Sequence, residues 1–326
     1  MLQKVFQVIR LCQNELRFAL ISGEDIHAIL DAPVLIERMR TGFLDFEAKT
    51  VVNPERTVIL QGEDWWGVMP SLSHDGLSVK VVSVIPENSK KGMDTTQGIV
   101  LLFDRISGQP KAMFNGTVLT AVRTSVVSAL FASCFGGSKR VFIIGAGLEA
   151  RYHALLFSRL FQLDSFNAVS RSEASLERFR EWSIAQGLHL DHTLRIEDAD
   201  TVIAATTSSL PVVQDYSGAN RLVISIGAHT PGAREVSDKV LMSADRIVVD
   251  TLEGCIKESG DIVSGLRRGL FVDSKLIALG QVLSHGIGTK GRFLFKSVGS
   301  AFQDLYACLA LLDLALSRGA FRQAEV

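Results

Sequence analysis

The residues best placed to do chemistry begin at Val141-Phe-Ile-Ile-Gly145-Ala146-Gly147-Leu148-Glu149-Ala150. Four apolar residues run into Gly-x-Gly-x-x-Ala, and a helical pattern follows from Arg151 to Phe161. Gly145 permits a tight turn, Gly147 lets the backbone approach a pyrophosphate, and Ala150 allows close helix–strand packing. The helix start offers open N–H groups and a positive dipole end to phosphates. Such a fingerprint is weak alone; the strand before it and the helix after it give it weight. The next strand ends at Val169-Ser170-Arg171-Ser172. An acid at this strand end binds the ribose 2′-hydroxyl of NAD, whereas Arg accommodates the 2′-phosphate of NADP. No acid stands there, and a guanidinium between two hydroxyls suits a phosphate. The sequence therefore points to NADP(H) ahead of NAD(H). Thr206-Thr207-Ser208 follow a further strand at its C-terminal edge, where ligands sit in open α/β sheets. These hydroxyls either meet the cofactor or form a turn before Pro211.

These residues need a scaffold, and the chain supplies two patterns. From Thr57 to Phe114 it is strand-like: TVIL, WWGVM, LSVKVVSVI, GIVLLF and PKAMF, with Ile106–Pro110 as a hairpin turn. Ser22-Gly-Glu-Asp25 resembles a capping box opening a helix to Leu30, and a second helix covers about Val34 to Ala48. This part reads as a mixed or antiparallel sheet with helices on one side. Thr117 to Phe135 is apolar at helical spacing. Beyond it, VFIIG, SFNAVS, TVIAAT, LVISIG and RIVVD alternate with helical stretches, which implies a doubly wound parallel sheet of Rossmann type. The fold class is thus α/β, with a mixed α+β domain for substrate and dimer contacts. The expected boundaries are 1–120, completed by 305–326 through a last helix from about Gly299 to Leu316, and 121–304 for the NAD(P) domain.

The 326 residues are 47% hydrophobic and 21% charged, enough for a large core without disulfides. A net charge of −1 carries no electrostatic footprint for nucleic acid or an anionic membrane. No continuous apolar run reaches the ~18 residues that cross a bilayer. Cys12, Cys134, Cys255 and Cys308 have no metal-like spacing and read as reduced thiols of a cytoplasmic protein. No metal is expected. The first residues form either a short amphipathic helix or an extension. Trp65-Trp66 are either core or pocket lining.

Several segments together resemble the ornithine cyclodeaminase/μ-crystallin family. They are Lys80 in LSVKVV, Gly92-Met-Asp-Thr-Thr-Gln-Gly98, Leu101-Leu-Phe-Asp104 and Asn115-Gly-Thr117-x-Leu-Thr120-x-x-Arg123-Thr124. After the glycine turn come Ile226-Gly-Ala-His229-x-Pro231-x-x-Arg234-Glu235, Val249-Asp-Thr251, Glu258-Ser-Gly-Asp261 and Leu294-Phe-Lys-Ser-Val298-Gly299-x-Ala-x-Gln-Asp304. The resemblance implies a homodimer acting on α-amino or α-imino acids. It implies that Arg56, Lys80, Thr95 (with Thr96 the alternative) and Arg123 hold the substrate carboxylate, and it adds Val298 to the cofactor contacts. An Arg fork and a Lys point charge suit a carboxylate, and both are costly to bury without an anion. Each could instead be a snorkelling surface cation.

One departure from the family matters. Ornithine cyclodeaminases carry Asp in the segment Gly-Gly-Asp-x-Pro-Gly, where it handles the amine and its proton. Here His229 takes that place. An imidazole with a pKa near ~6.5 can donate a proton to an imine nitrogen around neutrality; the alternative is a structural loop residue. Lys80 and His229 are then the catalytic candidates. The resemblance, with this departure, points to NAD(P)H-dependent reduction of a ketimine such as Δ1-pyrroline-2-carboxylate or Δ1-piperideine-2-carboxylate. Alternatives are cyclodeamination of ornithine to proline and ammonia, an amino acid dehydrogenase such as alanine dehydrogenase, and a non-enzymatic small-molecule binder of the μ-crystallin type.

Overall fold

The computed structural model describes residues 16–228 and 230–325. His229, Cys12 and the expected N-terminal helix or extension lie outside the described residues. In chain order the elements are β1 (Arg17–Ile21), α1 (Gly23–Ile29), α2 (Ala32–Glu47), β2 (Thr57–Gln61), β3 (Asp64–Leu72), β4 (Leu77–Val84), β5 (Thr96–Phe103), β6 (Pro110–Asn115) and α3 (Gly116–Ser133). There follow β7 (Arg140–Ile144), α4 (Leu148–Leu160), β8 (Ser165–Val169), α5 (Glu173–Ala185), β9 (Thr201–Ala204), β10 (Leu222–Ser225), α6 (Asp238–Ser243), β11 (Arg246–Val249), α7 (Leu252–Glu258) and α8 (Gly260–Arg267). The chain closes with β12 (Leu276–Ala278), α9 (Leu279–His285), β13 (Phe293–Lys296), α10 (Ala301–Arg318) and β14 (Arg322–Glu325).

Two compact units result. The first contains Val51–Leu119, the stretch up to Leu30, and the chain from Asp304 onward; the second contains Asp31–Thr50 and Thr120–Gln303. The sequence placed the break near 120 but kept the helix after Asp31 with the first part. In the structure that helix clusters with the nucleotide half. Phe43 meets Phe302 edge-on at 5.0 Å, and Phe46 stacks on Phe302 at 4.6 Å.

The first unit holds a seven-stranded sheet in the order β14-β1-β6-β5-β4-β3-β2. Only β1–β6 is parallel among its pairings, so the sheet is mixed, as the strand pattern implied. The period-2 alternation puts Met69, Lys80, Val82, Val100, Leu102, Ala112 and Phe114 on the buried face. Ser22 accepts from the Asp25 amide while the Asp25 carboxylate accepts from the Ser22 amide, a complete capping box for α1. Asn115 Oδ1 caps the start of α3 by accepting from the Val118 amide at 2.9 Å.

In the second unit every pairing is parallel, in the order β12-β11-β13-β10-β9-β7-β8. Strand–helix–strand units joining parallel strands build a doubly wound sheet. The sequence reading missed β1, β12, β13 and β14. β13 enters between β10 and β11, out of chain order, because its aromatic residues complete the core. Phe131 and Phe135 of α3 pack on Phe295 and Phe293 with ring centroids 4.8 and 4.1 Å apart. α3 is itself 18 residues long and apolar enough to cross a membrane by length and composition, a candidate the sequence reading did not register; most of it is buried inside the protein. Cys134, Cys255 and Cys308 are free thiols.

Candidate active site

The glycine turn lies where the sequence put it, between β7 and α4. Gly145 has φ +129°, and a Cβ there would strike the Ala205 carbonyl oxygen at the end of β9. Only glycine fits both the conformation and the approach. Gly147 is the N-cap of α4 and contributes no side-chain cap. A Cβ on Gly147 would enter open space, and no side chain caps the start of this 13-residue helix at the N-cap. That is the form a pyrophosphate site takes, and these residues fit a dinucleotide. Leu148 and Glu149 are the first residues of α4, and buried Ala150 is the close-packing position.

Behind the turn, His153 of α4 is fully buried. Its Nδ1 lies 2.7 Å from the Glu149 carbonyl oxygen and its Nε2 lies 2.9 Å from Ser128 Oγ on α3. Burial pushes the imidazole down to about 4, against a smaller upward pull from Glu149. The ring therefore sits neutral and locks α4 to α3.

At the end of β8, Ser170, Arg171 and Ser172 form the loop to α5. Ser172 Oγ accepts from the Ser175 amide at 3.2 Å and caps that helix, while the Ser172 amide donates to Ser170 Oγ at 3.3 Å. Both serines thus have structural duties, and Arg171 is exposed. Thr206 is also committed elsewhere. Its amide and hydroxyl both donate to Glu235 Oε1, at 2.9 and 3.0 Å, and its Oγ1 accepts from the Ser208 amide at 3.2 Å. Ser208 Oγ turns back to the Leu210 carbonyl. Thr207 between them is exposed.

Glu235 is a hub that sequence reasoning quoted without a role. Its other oxygen accepts from Ser225 Oγ and the Gly227 amide, each at 2.8 Å. Lys296 Nζ stands 3.8 Å from it, 3.4 Å from Asp261 and 2.9 Å from Ser225 Oγ. Arg234 Nε adds a second cation 3.7 Å from Asp261. Two acids and two cations with many hydrogen bonds make this burial tolerable, and the group ties together the C-terminal ends of β9 and β10.

Arg123 is buried on α3 and donates from Nη1 to Gln303 Oε1 at 3.0 Å. Gln303 Nε2 donates to Asp250 Oδ2 at 3.3 Å. The same oxygen accepts from Ser297 Oγ and from the amides of Val298 and Gly299, at 2.7, 3.1 and 2.8 Å. Val298 is buried in the apolar core of this unit. Gln303 and Asp250 were not foreseen as site residues.

In the first unit, Lys80 is opposite Met69 and Val100. Its Nζ donates to Asp304 Oδ1 at 3.1 Å, and both side chains are buried. The snorkelling alternative is thus excluded for Lys80. Cys308, one turn along α10, is fully buried; burial pushes its thiol well up and Asp304 adds to the shift. Arg56 is half-buried just before β2, whose first residue Thr57 faces Val68, which in turn faces Val81 beside Lys80. Thr95 just precedes β5, five positions from Val100, so the sheet does not bring it beside Lys80; at ~3.4 Å per residue the offset is about 17 Å. Thr96 is one position nearer. Asp304 had a readable signal: Gln303-Asp304 interrupt an apolar helix, and such a pair must find partners inside.

A seven-stranded parallel sheet with a glycine turn at its first strand–helix junction and paired cations in the interior define a dinucleotide-binding α/β protein. The chain belongs to the ornithine cyclodeaminase/mu-crystallin family, whose model matches residues 20–318. It is 32% identical to Delta(1)-pyrroline-2-carboxylate reductase 1 of Burkholderia multivorans, over 93% of this chain and 97% of that one. It is also 32% identical to the Delta(1)-pyrroline-2-carboxylate/Delta(1)-piperideine-2-carboxylate reductase of Azospirillum brasilense, over 91% and 96%. Among solved structures, Thermococcus litoralis Delta(1)-pyrroline-2-carboxylate reductase in complex with NADH and L-proline matches with a TM-score of 0.84 and 29% identity, covering 94% of this chain and 99% of that one.

Proposed function

We propose that this NAD(P)-dependent oxidoreductase reduces a cyclic α-imino acid, Δ1-pyrroline-2-carboxylate or its six-membered counterpart, to the L-amino acid, with NADPH as the preferred reductant. The observation that carries this reading is the burial of two cations, Lys80 and Arg123, in a chain related over more than 90% of its length to pyrroline-2-carboxylate reductases. Buried cations call for anions; Lys80 has Asp304, and the substrate carboxylate is assigned as a further anion for the two cations. Arg123 supplies a guanidinium fork, and Lys80 supplies a point charge. Arg56 is assigned to the same carboxylate. A bound nicotinamide supplies the hydride. Holding the carboxylate fixes the imine carbon for its arrival, and positioning of this kind is a large part of the rate. The imine nitrogen needs a proton, and His229, or a water it orients, is the donor.

The choice of dinucleotide rests on Arg171 and on the lack of an acid at the end of β8; the Thermococcus litoralis relative holds NADH. Homodimerisation is supported by the outer face of the first sheet. Ile59, Trp66, Val81 and Ile99 are exposed there on four adjacent strands, with Ile59 opposite Trp66 and Val68–Val81–Ile99 in one row. Free thiols at Cys134, Cys255 and Cys308 fit a cytoplasmic setting. The test is loss of nicotinamide absorbance with Δ1-pyrroline-2-carboxylate and NADPH or NADH. Rapid oxidation with NADPH ahead supports the proposal. No oxidation, with ammonia released from ornithine, would move the activity to cyclodeamination.

A further inference from the structure

We infer that Gln303 and Asp250 are positioning residues: Asp250 locks the Gln303 amide in one orientation, and Gln303 in turn aims Arg123 at the substrate carboxylate. The inference rests on the reading of Arg123 as a carboxylate binder and adds to it the device that orients the guanidinium.

An arginine can only donate hydrogen bonds, and a carboxylate can only accept them. The Gln303 side chain has one group of each kind and stands between the two. Its NH2 faces Asp250 Oδ2 at 3.3 Å and its carbonyl oxygen faces Arg123 Nη1 at 3.0 Å. The flipped amide would put NH2 against a guanidinium and oxygen against a carboxylate, two repulsive contacts in a buried site. The orientation of the amide is therefore dictated from both ends.

Asp250 is itself immobilised. Oδ2 also takes the Ser297 hydroxyl and the Val298 and Gly299 amides, while Oδ1 takes the Thr251 amide at 2.8 Å and Cys255 Sγ at 3.2 Å. The turn it gathers presses on the guanidinium. Gly299 has φ +79°, and a Cβ there would lie 2.6 Å from Arg123 Nη2. Arg123 is thus bounded by Gly299 along its guanidinium edge and held by Gln303 at Nη1.

The choice of Gln over Glu has a chemical consequence. A glutamate at 303 would hold the guanidinium as well, but it would cancel its charge and sit against Asp250. The neutral amide orients Arg123 without setting a further negative charge against it. Gln303 acts on binding of the anionic group and not on the reacting bond.

The test uses the cofactor-saturated protein and two probes, pyrrole-2-carboxylate and pyrrole-2-carboxamide, which differ only in the charged group. Wild type should bind the carboxylate more tightly, and Arg123→Ala should erase that preference. Gln303→Leu should weaken carboxylate binding about tenfold, the loss expected for a hydrogen bond to a charged group, with the carboxamide unchanged. It should raise KM for the imino acid similarly, with kcat within about threefold of wild type. Gln303→Glu should be worse than Gln303→Leu, because charge as well as aim is lost. If Gln303→Leu is insoluble, Gln303→Met, of similar length and without a branch, carries the same readout. Retention of the wild-type preference in Gln303→Leu while Arg123→Ala loses it would overturn the inference, and so would equal weakening of both probes. Retention of the preference in Arg123→Ala would overturn the carboxylate reading of Arg123 instead.

Discussion

Lys80 Nζ on β4 and Asp304 Oδ1 on α10 are 3.1 Å apart and sealed from solvent, so the cation assigned to the substrate already has an anion of its own. Such a pair is expensive to break from one side, because the survivor is left as a buried charge. Asp304→Asn should lower unfolding free energy by about 3 kcal/mol, the low end of that range. Lys80→Met should cost stability too, and Lys80→Met combined with Asp304→Asn should cost less than the two singles together. Urea unfolding of the four proteins checks this; additive losses would mean that the ion pair contributes no mutual stabilisation. Lys80→Met should also cut kcat/KM for the imino acid while cofactor affinity holds.

Arg171 makes a separate prediction. Ser170 and Ser172 are engaged in the loop and in capping α5, so the exposed guanidinium is the group left to read a 2′-phosphate. Arg171→Ala should raise KM for NADPH by about tenfold, in line with loss of a charge-assisted hydrogen bond, and leave KM for NADH unchanged. Steady-state kinetics with both dinucleotides decide it. An equal change for both would make Arg171 an ordinary loop residue.

What the sequence disclosed follows the range of each signal. β3 and β5 alternate over most of their length because one face of the sheet is buried, and the glycine turn is a run of ten residues. Both are local and both were legible. β13 is four residues long and pairs with β10 and β11, some 45–70 residues upstream, so nothing in its neighbourhood specified it. β14 is polar and pairs at the sheet edge with β1 across the length of the chain. The partners of the candidate cations were hidden for the same reason. Asp304 lies 224 residues from Lys80 and Gln303 lies 180 from Arg123. Thr206, read as a possible cofactor ligand, is taken by Glu235, 29 residues on. Spacing could nominate a hydroxyl or a cation but not the group that occupies it.

The exposed face of the first sheet gives a prediction about assembly. Val81 and Ile99 are adjacent across β4 and β5 and lie in the row begun by Val68. A charge placed in the centre of an apolar interface must be desolvated without a partner. Val81→Glu should turn a dimer into a monomer in light scattering at micromolar concentration, with the far-ultraviolet spectrum retained. A wild-type protein that is monomeric at that concentration would remove the homodimer from the proposal.

The buried imidazole of His153 predicts how stability responds to acid. A carbonyl oxygen can only accept, so Nδ1–H donates to Glu149 and Nε2 accepts from the Ser128 hydroxyl; this is the neutral tautomer. Burial lowers the folded-state pKa to about 4 from the ordinary 6.5. Between these values the unfolded chain binds a proton at this site and the folded chain does not. The stabilisation is therefore full above pH 6.5 and is lost as pH falls toward 4. At about 1.36 kcal/mol per pKa unit the full effect is about 3 kcal/mol, of which about 2 kcal/mol is gone by pH 5. His153→Phe removes the titration along with the Ser128 bond. The variant should be less stable than wild type at pH 7.5, and the gap should shrink by about 2 kcal/mol at pH 5.0, as read from urea unfolding at the two pH values. A gap that stays constant would mean that His153 takes up a proton equally well in the folded and unfolded chains.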